Sequence, residues 1–209
     1  MNGGELVGFA SRSVSFMRYR VKGEIEGSFW DSVHEGIQKG AFREMDSSGE
    51  VIGMGWTSID DFTDTTFQGA PYVRGNYIGL ALRIDTVRVP PKVLEARMKV
   101  ETQKMLRETG QRRLSAGQRK ELKEQLVASL RSQVFPTIQV FDLIWDTGRG
   151  LAYFSSHAAK ARERVEDHFK KCFGFSLIPL IPYLRAEELL NIPEEREKLA
   201  RLKPCSLVS

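Results

Sequence analysis

Three aspartates stand close together in "SIDDFTD", residues 58–64. Carboxylates grouped as Asp60, Asp61 and Asp64 are could in principle hold a divalent cation, which can in turn support phosphodiester hydrolysis. Their spacing fits no calcium-loop pattern, and a long polar connection often carries such residues for turns alone. The histidines, His34, His157 and His168, are scattered, and none stands by a serine or cysteine in a recognisable nucleophile setting. Cys172 and Cys205 form no CxxC pair and no evident set with histidine, so both read as reduced thiols rather than a disulfide or zinc site. "GMG" and "TGRG" lack the strand, loop and Lys-Ser pattern of a phosphate-binding loop. Core and turn roles suffice for all of these residues, so no catalytic centre, metal or cofactor is expected.

The other chemistry available is charge. The chain has 209 residues and a formal net charge of +4, with the excess in one stretch. Residues 1–89 carry 9 Lys/Arg against 12 Asp/Glu, residues 90–134 carry 11 against 5, and residues 135–209 carry 11 against 10. A local basic surface in a balanced chain is an electrostatic footprint for a polyanion; the alternative is a solvated helix face of mixed charge. Lys104, Arg107, Arg112, Arg113, Arg119, Lys120 and Lys123 are the cations placed to meet successive phosphates. Glu121 and Glu124 interrupt them and can pair with the lysines.

The elements that must position these cations follow from periodicity. "SVSFMRYRV" (13–21) reads as a half-buried strand, and Ser28 opens a helix over 28–39 that carries Phe29, Val33 and Ile37, with Gly40 beyond it. "EVIGMGW" (50–56) is a short strand and 58–75 a long connection. "NYIGLALRIDTVRVP" (76–90) is the clearest strand, with Ile78, Leu80, Leu82 and Ile84 on one face and Val87 and Val89 continuing after a break.

Pro90 and Pro91 suit the first turn of a helix over 91–108, which places Leu94, Met98, Met105 and Leu106 to one side and ends at Gly110. Ser115 and Gln118 form a capping-box pattern for the next helix. There Leu122, Leu126, Leu130 and Val134 form a stripe, with Arg119, Lys120, Lys123 and Arg131 largely off it. Two strands follow at 137–156 around "DTGRG", where Gly148 and Gly150 can take positive φ. A helix over 157–171 carries Val165, His168 and Phe169 with Cys172 at its end, then come a strand over 175–183 and short helices over 185–203. Trp30, Trp56 and Trp145 read as core anchors, with an exposed, base-stacking Trp56 as the alternative.

The fold class is α+β: a mixed, mainly antiparallel sheet with flanking helices and a central protruding helical hairpin. Residues 1–89 and 135–209 would together make one base domain, and 90–134 the basic hairpin. No apolar run is long enough to span a bilayer, and the amino terminus lacks the pattern of an export signal, so a cytoplasmic protein is expected.

Several stretches occur in a telling order: "MGW" at 54–56, the strand at 77–89 running into "PPKVLEARMKVET", "LSAGQRKELKEQLVASLRSQVF" at 114–135, "IWDTGRGLAYF" at 144–154 and "AAKARERVEDHFKKCFGFSLIPL" at 158–180. This ordered set resembles the RdgC family of recombination-associated DNA-binding proteins, and the resemblance covers residues 13–182. It implies sequence-nonspecific binding of duplex DNA, with single-stranded DNA as a second ligand, a homodimer that can encircle DNA, nucleoid association and a role in restraining recombinase access. It implies no nuclease activity. Phe135 matches the aromatic at the hairpin tip that supports dimer contact in the family; a core residue at the strand entrance is the other reading. Where the family tends to carry an Arg two residues earlier, this chain has Gln133, which removes one expected phosphate contact. Longer members continue well beyond "SLIPL" into a further module that helps close the ring, so ring closure is not expected of this sequence. A protein interaction module that dimerises through the hairpin is the alternative function, and a metal-dependent nuclease at the aspartates the less favoured one.

Overall fold

The computed structural model describes residues 15–24, 27–45, 51–190 and 192–202. Val14, Glu50, Lys203 and Cys205, which the sequence assigns to strands, a terminal helix and a thiol, lie outside them. In chain order the elements are β1 (Met17–Lys22), α1 (Phe29–Lys39), β2 (Ile52–Ser58), β3 (Val73–Arg74), β4 (Tyr77–Thr86), α2 (Pro91–Thr109), α3 (Ala116–Arg131), β5 (Thr137–Asp146), β6 (Leu151–Phe154), α4 (Ala159–Phe173), β7 (Ser176–Pro179), α5 (Pro182–Leu189) and α6 (Pro193–Arg201).

The strands form one seven-stranded sheet in the order β2-β4-β5-β6-β1-β7, with β3 also paired to β4. Every ladder is antiparallel, and a lone parallel bridge joins Ala41 to Trp56. Register decides which residues share a face, because directly opposed residues point the same way. Trp56 faces Leu82, which faces Phe141; Leu80 faces Leu143, which faces Phe154; Ile78 faces Trp145, which faces Ala152. Val33 and Ile37 of α1 and Val165, Phe169 and Phe173 of α4 join that face in a single buried core. Trp145 makes edge contacts with Phe29, Phe169 and Phe175, so one indole ties both helices to the sheet.

Two glycines allow the close approaches this needs. A Cβ at Gly55 would run into the backbone of Phe42, whose segment pairs with the outer edge of β2 through Phe42 N to Trp56 O at 2.8 Å. A Cβ at Gly40 would collide with Cys172 Sγ and the Trp56 ring.

Several expectations are corrected. Trp30 is 45% exposed and is no core anchor, whereas Trp56 and Trp145 are buried. The connection over 58–75 contains β3 and supplies Phe67 and Tyr72 to the core, although it shows no periodicity. Val87 and Val89 fall beyond β4. Gly150 takes a positive φ of 63°, while Gly148 is absent from the positive-φ glycines. The strand expected over 175–183 stops at Pro179, because Pro182 already begins α5.

Candidate nucleic-acid interface

Pro91 in the first turn of α2 costs no hydrogen bond, since that amide would be unpaired in any case. Gly110 ends the helix at φ 66°, a left-handed conformation open to glycine without strain. At the start of α3 the capping box is complete: Gln118 N donates to Ser115 Oγ at 3.2 Å, and Ser115 N donates to Gln118 Oε1 at 2.9 Å. Thr86 of β4 pairs with Thr137 of β5, which brings the beginning of α2 and the end of α3 to one end of the sheet. The two helices are in contact, with residues 110–115 between them. Leu122 and Leu130 of α3 are buried, Leu126 is half-buried, and α2 has no buried residue. Such a pair presents most of its surface to solvent.

All seven cations singled out from the sequence are exposed. Lys120 reaches Glu124 at 3.9 Å, and the neighbouring Lys99 reaches Glu95 at 2.9 Å. Lys104, Arg107, Arg112, Arg113, Arg119 and Lys123 make no ion pair with any described residue. Exposed pairs of the Lys120 kind are worth little and are readily exchanged for a phosphate.

The seven do not share one face. Arg112, Arg113 and Arg119 line a groove of about 440 Å³ between α2 and α3, with the half-buried Met98, Thr102, Leu106 and Leu114 as its floor and Lys99, paired with Glu95, also on its wall. Lys120 and Lys123 border a second depression, also about 440 Å³, with Glu124, Val127, Ala128 and Arg131. Lys104 and Arg107 flank Met105 and Leu106 in sequence, and helical phase turns them away from the seam. Arg119 thus lines the groove shared with α2, while its neighbour Lys120 borders the other depression. The groove itself was not foreseen, although the spacing of Met98, Thr102 and Leu106 by four could have shown that its floor is continuous.

Phe135 is 91% exposed, so the core reading is wrong. It sits between the end of α3 and Thr137, at the sheet end of the helix pair and not at the turn, because Thr137 is already in the ladder. Ile138, 44% exposed, lies close to it in sequence.

The aspartates have local work. Asp61 Oδ1 accepts from Thr63 N at 2.9 Å and Thr63 Oγ1 at 2.6 Å, and Asp64 Oδ1 accepts from Thr66 N and Oγ1, both at 2.9 Å. These bonds hold both carboxyls below their usual range. Asp60 is ion-paired with Arg74. Among the described residues no group of three or more His, Cys, Asp or Glu is placed to hold a metal.

His168 and Cys172, one helical turn apart on α4, meet at Trp56. His168 Nε2 donates to Gly40 O at 3.0 Å, its ring lies 4.9 Å from the Trp56 ring, and burial holds its pKa below 6.5. Burial pushes the Cys172 thiol up, away from reactivity. Each of the two packs on Trp56, in the surroundings of core residues. Trp56 is fully buried and cannot stack on a base. His34 bonds Tyr72 Oη through Nδ1 at 2.7 Å, and His157 is exposed.

Among protein-family models, the one described as "Putative exonuclease, RdgC" matches residues 15–190. The chain belongs to the RdgC family. The match runs from the start of β1 through α5 and so includes the sheet, both core helices and the α2–α3 pair. No curated protein matches the chain. RdgC membership gives it a general role connected with DNA and recombination. No helix among the described residues is long and apolar enough to cross a membrane.

Proposed function

We propose that this RdgC-family protein binds duplex DNA without sequence preference through the cations of α2 and α3, and that it does not cleave it. The observation that supports this most directly is the set of six cations on α2, α3 and their turn that lack any ion-pair partner among the described residues. Unpaired, exposed Lys and Arg on stiff helices can exchange their counterions for phosphates, and the affinity so gained falls steeply with salt. The cations are spread over both helices and their turn, and Gln118, the glutamine beside Arg119, is engaged by Ser115 in the capping box, which supports phosphate contact rather than base reading. The protein would act in the cytoplasm on the nucleoid and limit recombinase access to DNA by occupying it. Single-stranded DNA is a second ligand.

A homodimer is part of the proposal, and Phe135 supports it: a phenylalanine with 91% of its surface in water is a natural anchor for a partner. The same observation favours the second reading, an interaction module whose basic face serves solvation alone. Anisotropy titrations with several unrelated duplexes across a salt series separate the two. Similar affinities that weaken together with salt support DNA binding, whereas dimerisation without DNA binding at low salt supports the interaction module.

Cleavage is tested with purified protein, plasmid and Mg²⁺ or Mn²⁺. Asp61 and Asp64 are committed to their own turns, and intact plasmid is the expected result. Nicking that disappears in the double variant Asp60→Ala, Asp61→Ala would restore the nuclease reading.

A further inference from the structure

The groove between α2 and α3 has a composition that duplex binding does not require. Phosphates of an intact duplex need only a cationic surface, yet here Arg112, Arg113 and Arg119 stand around a floor of Met98, Thr102, Leu106 and Leu114. The four floor residues are half-buried and the three arginines exposed. None of the three guanidinium groups is engaged by a carboxylate of the described residues. An apolar floor under unpaired guanidinium groups suits a ligand with a flat apolar body and an attached anion. A volume of about 440 Å³ lies within the range of small-molecule sites.

We infer that this groove takes an unpaired nucleotide of DNA, its base laid on the apolar floor and its phosphates held by Arg112, Arg113 and Arg119. The inference rests on the proposed DNA binding and goes further by naming the form of DNA preferred. In a closed duplex the faces of the bases are hidden in the stack, so only a nucleotide at an overhang, gap or frayed end can present one. Arginine suits the rim because its planar guanidinium can both bond a phosphate and stack on a base. Thr102 sets one hydroxyl on the floor, within an otherwise apolar surface, where it can meet the polar edge of a base. Arg112, Arg113 and Leu114 belong to the segment between α2 and α3, so the groove includes the residues that link the two helices, and all three arginines on it are exposed to a strand end in solution.

The test compares three duplexes of equal length by anisotropy with the full chain: one blunt, one with a three-nucleotide overhang, and one with the same overhang lacking its bases. The base-bearing overhang should bind about fivefold or more tighter than the abasic one, the lower end of what a held base contributes. Thr102→Met, which fills the floor with an apolar side chain of good helix propensity, should abolish that difference and leave blunt-duplex affinity and its salt slope unchanged. Equal binding of the two overhangs by the unaltered protein overturns the inference whether or not the variant folds. A difference that persists in folded Thr102→Met places the base elsewhere and also overturns it. If none of the three duplexes binds, the DNA-binding proposal fails as well. If the blunt duplex binds but the overhangs are not told apart, only this inference fails.

Discussion

Arg119 and Lys120 are adjacent in the chain and face different depressions of the helix pair, so a single substitution at either samples only part of the cationic surface. Leu122, between them and the next turn, does something else: it is 7% exposed, one of the two buried residues of α3. Leu122→Ala should cost about 2 kcal/mol of unfolding free energy in urea, the low end for a buried leucine because the pair is thin and its cavity can partly collapse. Leu126→Ala should cost less, since that side chain is only half-buried. His168 gives a pH dependence. Its folded-state pKa lies below the unfolded 6.5 because of burial, so the unfolded chain binds the extra proton and stability is lost as pH falls from about 6.5 towards the folded value. His168→Gln can still donate to Gly40 O and should flatten this slope between pH 7 and 5 in denaturation curves taken at several pH values. An unchanged slope would mean that another group carries it.

At the scale of elements, local signals were legible where one short rule governs. Ser28, Gly110 and the Ser115–Gln118 box stand where the sequence puts them, because a cap is decided by a few neighbouring residues. Ser115→Ala should therefore cost about 1 kcal/mol in thermal or urea unfolding, with Gln118 losing its reciprocal role. Elements fixed by distant partners were not legible. Phe67 and Tyr72 enter the core from an aperiodic connection, and Trp30 looks as apolar as Trp145 in a sequence, although only the latter faces α4. The candidate site was legible as a list of cations and not as a shape. Helical phase alone did not reveal that the turn brings Arg112 and Arg113 against Arg119 over an apolar floor.

At the scale of the whole molecule, the sheet draws β4 and β5 from either side of the helix pair into one ladder, so the cations of α2 and α3 are carried on a base whose core lies on the other elements. Charge on the pair can then be altered without touching the core. Phe135→Ser belongs to this scale too: if its exposed ring anchors a second copy, sedimentation should show a shift from dimer to monomer, while the thermal transition of the monomer moves little.

The proposed binding of DNA depends most on the cations of α2 and α3 meeting phosphates. Its most direct test is the slope of log affinity for duplex DNA against log salt, measured for the unaltered chain and for the variant Arg119→Ala, Lys120→Ala, Lys123→Ala. These three exposed positions should leave the fold intact, with stability changed by about half a kcal/mol each. The variant should bind more weakly, and its slope should be shallower by about 0.9 for each phosphate contact removed. A folded variant with unchanged affinity and unchanged slope would contradict the account and move the DNA surface off these helices.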